Sequence, residues 1–191
     1  MNNDRVDPAE LAALRAAFVD DDGRAPALGP EAVRAFEAEH GIVLPEPYRT
    51  FVAQIADGSR QGPPAHGLLG PGELPAGWGG DPSARDLSEP FPPTEPWLRE
   101  EDEESDEPEE DRDAVIDRVL HHGSVVLGTD GCAMDGHLVV TGPHRGRIWR
   151  VTDVGALPFG AASGRTTAES GFVGWVRHWA DGKEWFDAEA A

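Results

Sequence analysis

An α+β domain, with an antiparallel-rich sheet flanked by helices, is the fold class this sequence predicts, and three observations predict it. Apolar residues at helical spacing occur between residues 8 and 58 and again near the C-terminus, whereas residues 124–151 carry the β-branched runs of a strand and a hairpin. Gly and Pro crowd residues 59–96, which reads as irregular chain between the two regions. Of 191 residues, 39% are hydrophobic and six are Trp, enough for one core, so residues 1–191 read as a single domain.

The first helix is expected over Pro8 to Val19, capped by Asp7, with Leu11, Leu14, Ala17 and Phe18 spaced for burial. DDDGRAPALG breaks it. Pro30, at a first helical position where an N–H is not needed, opens a second helix that places Val33, Phe36 and His40 on one face and stops at Gly41. Ile42 and Leu44 form an extended apolar link, Leu44 being pushed out of the α region by Pro45. Pro45 and Pro47 suit the first turn of a third helix, whose stripe is Tyr48, Phe51, Val52 and Ile55, with Gly58 as a left-handed cap. Between Ser59 and Pro96 only brief extended pieces such as His66 to Leu69 are expected. Ala114 to Leu120 reads as a short helix and Ser124 to Leu127 as a strand, followed by a turn at Thr129 to Gly131. His137 to Val140 and Arg147 to Val151 then pair across TGPHRG as an antiparallel hairpin. Glu169 to Ala180 closes the domain as a helix with Phe172, Val173, Val176 and Trp179 on one face.

The phrase FEAEHGIVLPEPYRTFV resembles the opening motif of the SUKH superfamily, the Smi/Knr cell-wall-assembly-regulator-like proteins. Phe36, Glu37, Gly41, Ile42, Leu44, Pro45, Tyr48 and Phe51 carry the resemblance. Downstream, GCAMDGHLVVTGPHRGRIWRV resembles the β-hairpin of bacterial members and GFVGWVRHWADG their closing helix. Ala56-Asp57-Gly58-Ser59 departs from the Asn-Gly ending of the family, and residues 68–113 match nothing in it. The resemblance implies a SUKH-like fold without enzyme activity, used in many bacteria as an immunity protein that binds and blocks a toxin domain. The alternative it leaves is a regulator or scaffold of the Smi/Knr type with no toxin partner.

Charge sharpens the expectation about partners. The formal net charge is -20, and Arg99 to Asp113 holds eleven acidic residues against two arginines, so fifteen residues supply nine of those charges. Self-repulsion and the lack of apolar side chains predict a mobile acidic loop at 99–113. Such a surface disfavours nucleic acid and anionic lipid and favours a protein partner with a basic surface; the resemblance implies that this partner is a toxin domain, with a basic nuclease as one candidate. Within the loop Glu100, Glu101, Asp102, Glu103, Glu104, Asp106 and Glu107 are the candidate contacts. Trp78 and Trp97, in irregular segments, are candidate interface anchors, whereas the spacing of Trp149, Trp175 and Trp179 marks them as core. No apolar run of about 18 residues is present for a membrane span, and MNNDRVDPAE lacks the basic and apolar regions of a signal peptide, so a cytoplasmic location is expected.

Other groups of residues have chemical possibilities. His121 and His122 with Asp130, Asp135 and His137 are ordinary zinc or iron ligands and would be the site of a metal-dependent enzyme, but their spacing fits no metal motif, and solvated histidines at strand ends are the simpler expectation. Thr129-Asp130-Gly131 and Asp135-Gly136 lack the alternating oxygens and closing Glu of a calcium loop and read as tight turns. Cys132, the single cysteine, is expected to be a buried structural thiol. As a nucleophile with His137 or His122 it has no evident third residue or oxyanion hole. Gly67 to Gly72 and Gly77 to Gly80 contain neither a Walker lysine nor GxGxxG, so no cofactor is expected.

Overall fold

Sheet strands buried on both faces organise the computed structural model, which describes residues 6–19, 21–98, 109–160 and 171–183. Helices α1 (Pro8–Ala17), α2 (Pro30–His40) and α3 (Tyr48–Gln54) come first, and the two-residue strand β1 (Trp97–Leu98) follows a long irregular segment. Helix α4 (Glu109–His121) then leads into β2 (Ser124–Thr129), β3 (Asp135–Val139), β4 (Ile148–Thr152) and β5 (Gly155–Pro158), and α5 (Phe172–Ala180) ends the described chain. The sheet order is β1-β5-β4-β3-β2 with every pair antiparallel, so the chain is an α+β domain of the predicted class. No helix among the described residues is long and apolar enough to cross a membrane.

Alternation along the strands divides the core into two layers. Val125, Leu127, Leu138, Val140 and Ile148 face the layer of α1, α2, α3 and α5, whereas Val139, Trp149, Val151 and Ala156 face Val115 and Val119 of α4. Because both faces are covered, β2 and β3 are buried almost throughout, in the manner of strands inside a three-layer fold. In the larger layer Phe51 packs at ring-centre distances of 5.2 Å on Phe18 and 5.1 Å on Phe172, and Trp179 stacks on Phe18 at 5.7 Å. The hairpin of β3 and β4 pairs His137 with Trp149 across the TGPHRG connection.

Local chemistry explains the helix limits. The Asp7 side chain accepts a 2.8 Å hydrogen bond from the Ala9 N–H, and Gly41 ends α2 in the left-handed region at φ 65°. Glu37, on the inner side of α2, pins the link to α3. Its Oε1 accepts from the Leu44 amide at 2.9 Å and the Arg49 Nε at 2.7 Å, and its Oε2 from the second Arg49 nitrogen at 2.9 Å.

Several expectations are corrected. Helix α3 begins at Tyr48, with Pro45 and Pro47 in the preceding turn rather than in the helix, and ends at Gln54 before Gly58. Gly58 has positive φ for a different reason: the chain there approaches Leu68 so closely that a Cβ would lie 2.9 Å from its carbonyl oxygen, where Ser59 and Leu68 form a bridge. Strand β5 and the edge strand β1 were not foreseen, and α4 starts at Glu109, inside the acidic run expected to be a loop through Asp113. Of that run, residues 99–108 lie outside the described residues, as do residues 169–170 of the expected last helix. Asp135 and Gly136 belong to β3 rather than a turn.

Candidate functional site

Trp97 and Trp78 occupy different parts of the molecule. Trp97 is half-buried on β1, paired with Ala156 of β5, and Leu98 pairs with Gly155. The acidic run follows directly. Its candidate residues Glu100, Glu101, Asp102, Glu103, Glu104, Asp106 and Glu107 lie outside the described residues, and the run ends at Asp113, the fifth residue of α4. Trp78 sits at the far end of that helix, its ring edge-on to His121 at 5.6 Å. The run ends at Asp113, eight residues before His121, so at 1.5 Å per residue roughly 12 Å of α4 separates that end from the neighbourhood of Trp78.

Trp78 is wedged into a polar cluster on the α4 side of the sheet. The Arg85 guanidinium lies 5.6 Å from its ring centre, within cation–π range, and donates at 3.1 Å to the Ser124 carbonyl. Burial pushes Arg85 down from the usual arginine value. The Ser124 hydroxyl meets Nδ1 of His137 at 2.9 Å. His137 is fully buried, and burial, with the Arg85 charge adding to it, lowers its pKa to about 3, so it is neutral at physiological pH. Nε1 of Trp78, Nε of Arg85 and Nε2 of His137 are buried polar atoms without a hydrogen-bond partner.

The histidines expected to be solvated at strand ends are therefore not so. His121 is 3% exposed, and its Nε2 accepts the Asp81 N–H at 2.8 Å while Nδ1 faces the Asp117 carbonyl. His122 is half-buried and bridges to Asp86. Asp130 points elsewhere, into an ion pair with Arg150 at 2.7 Å, and accepts the Ala65 N–H at 2.8 Å. Thus the structure brings His121 and His137 into one neighbourhood through Trp78 and Arg85 but leaves Asp130 outside it. No group of three or more His, Cys, Asp or Glu among the described residues is arranged to hold a metal ion.

Cys132 is exposed rather than buried, because it stands at the tip of the β2–β3 connection with φ 50°. It shares a cavity of about 250 Å3 with His66, Trp78 and Asp135, not with His137 or His122. Burial raises the Asp135 carboxyl above its ordinary value, with Asp130 adding to the rise and a hydrogen bond from Thr129 opposing it. His66 and Arg85 were not singled out from the sequence; each is distant in the chain from the groups it meets, and no local pattern marks it. A second cavity, of about 430 Å3, runs from the Asp130–Arg150 pair to Trp175 and Trp179. Compared with protein-family models, with curated proteins and with solved structures, the chain gave no match in any of the three.

Proposed function

We propose that this chain is a non-enzymatic protein-binding module, an immunity protein that acts in the cytoplasm by covering the basic surface of a toxin domain. One juxtaposition carries the reading: a half-buried tryptophan on a two-residue edge strand leads straight into the densest negative charge of the chain. An aromatic anchor supplies slow dissociation, and the adjacent charge supplies steering and selectivity. The resemblance to SUKH proteins gives the toxin assignment, and the order of helical link, β-hairpin and closing helix is the order its motifs require. The engagement of His121 with Asp81 and the full burial of His137 support a structural role for both.

Affinity capture with the tagged full chain from its native cell, followed by titration of the purified partner, tests this. A one-to-one complex that abolishes a toxic activity of the partner is the expected result. A partner bound without loss of any activity would replace the immunity reading with that of a scaffold. One equivalent of zinc surviving dialysis, and lost in His121→Ala and His137→Ala, would replace it with an enzyme.

A further inference from the structure

We propose that the cavity beside Trp78 and Asp135 receives a lysine side chain of the protein partner, an inference that rests on the protein-binding role above and gives it a specific contact. The cavity measures about 250 Å3, and Asp135 lines it from the sheet. Residues 135, 137 and 139 of β3 point to one face, and Val151, the cross-strand partner of Asp135, lies with Val139 in the layer that α4 covers. Trp78 stands on that same side, against His121 of α4. Gly136 faces the other way, where a Cβ would lie 3.1 Å from the Trp175 ring. Asp135 is 6% exposed, and because β2 and β4 cover its backbone on either side, the opening that remains belongs to its side chain.

A cation is what this carboxyl lacks. The Thr129 hydroxyl bonds it and Asp130 repels it, yet no Lys, Arg or His among the described residues forms an ion pair with it. Arg150 is held by Asp130, and Arg85 donates to the Ser124 carbonyl beside the Trp78 ring. A buried carboxylate with one hydroxyl partner is stabilised by an incoming positive charge. A metal ion needs more ligands than Asp135 offers, and no grouping of His, Cys, Asp or Glu among the described residues supplies them. An organic cation needs one carboxylate and an apolar wall, which Trp78, Pro75 and Ala76 provide. A guanidinium is a broad planar fork, whereas a lysine ammonium is a compact point charge on a narrow stem, the shape that one recessed carboxyl accepts. The mouth is open to it: Ala76, Gly77, Gly79 and Cys132 are exposed, and a Cβ built at Gly77 or Gly79 meets nothing within 4 Å.

Nα-acetyl-lysine N-methylamide, titrated into the 15N-labelled full chain at constant ionic strength, is the probe. The amide signals of Gly77, Gly79 and Cys132 and the indole signal of Trp78 should shift along one saturable curve. The same probe acetylated on its ε-nitrogen keeps the stem, loses the charge, and should leave them in place. Asp135→Asn puts a neutral group of the same shape in the sheet, so it should keep the rest of the spectrum but weaken binding about tenfold or more, the loss of a charge-assisted hydrogen bond. Gly79→Leu fills the open mouth without touching the sheet and should block the probe, which keeps the test decisive should Asp135→Asn fail to fold. A drift that does not saturate, equal shifts with the acetylated probe, or a folded Asp135→Asn or Gly79→Leu protein that binds as wild type does would each overturn the proposal. The titration uses no partner, so its outcome is independent of the capture that tests the immunity reading.

Discussion

At Glu37 a mostly buried carboxylate does structural work that the residue pattern alone leaves unexplained. Burial by itself would raise its pKa, but the bonds from Arg49 and the Leu44 amide outweigh that, and the carboxyl ends below its ordinary value. Its contribution is therefore present above the unfolded carboxylate range and is lost as pH falls through the lowered folded value. Glu37→Ala leaves the Leu44 N–H without its acceptor and should cost about 2–3 kcal/mol in urea unfolding, against about 1 for Glu37→Gln, which keeps an acceptor oxygen. Equal losses for the two would show that the amide bond is not what matters. His137 has the opposite chemistry with the same direction in pH. Its folded pKa of about 3 lies below the unfolded 6.5, so between those values the unfolded chain binds the extra proton, and stability falls as pH is lowered from 6.5. The slope from this residue is at most about 1.4 kcal/mol per pH unit. Asp57 and Asp135, raised by burial, act in the other sense, so the informative measurement is a comparison. The urea midpoint of His137→Gln should vary less between pH 7 and 5 than that of wild type; parallel curves would mean that His137 takes up its proton with the same pKa in the folded and unfolded chain.

Among the elements, α3 is short, and it holds because Tyr48, Phe51 and Val52 are buried completely. Phe51→Asp places a carboxylate among Phe18, Tyr48 and Phe172 and should cost several kcal/mol, on the order of the whole stability of a small domain. A protein carrying it that melts within a few degrees of wild type would mean that this cluster is not the core. The helices were legible because caps and apolar stripes are local signals: Asp7, Pro30, Gly41 and the Tyr48 stripe each act within a turn or two. The β3–β4 hairpin was legible for the same reason. Strands β1 and β5 were not, since two and four residues leave too short a pattern and their pairing is made across the sheet. The outer side of β2 is closed by residues 66–69, with the Leu69 N–H donating to the Leu127 carbonyl at 2.7 Å and that of His66 to Thr129 at 3.2 Å. The extended piece expected there has a clear use, as cover for a sheet edge. The polar cluster at Trp78 was legible only in part. The His121–His137 region was marked by its residue types, but Arg85 and Trp78 reach it from an irregular segment whose path no periodicity encodes.

Across the whole molecule, a net charge of -20 opposes compactness and favours encounter with a cationic surface, and nearly half of it is concentrated in residues 99–113. The two ends of this run are anchored differently: Trp97 and Leu98 are paired on β5, and Glu109 begins a helix. Steering and anchoring should therefore separate in kinetics. Against the captured partner, association should slow as salt rises, because exposed charges are screened beyond roughly 8 Å at physiological ionic strength, and dissociation should change less. Neutralising Glu100, Glu101, Asp102, Glu103 and Glu104 to Gln or Asn should slow association at low salt by about tenfold or more while moving the melting temperature little. Trp97→Ala should do the reverse, accelerating dissociation with association nearly intact, since an anchor acts after encounter. Surface-plasmon kinetics across a salt series distinguish the two. If the neutralised protein associates at the wild-type rate at every salt concentration, the run is a passive connection between β1 and α4, and the partner's binding surface must be sought around Trp78 and its neighbouring Gly-rich chain.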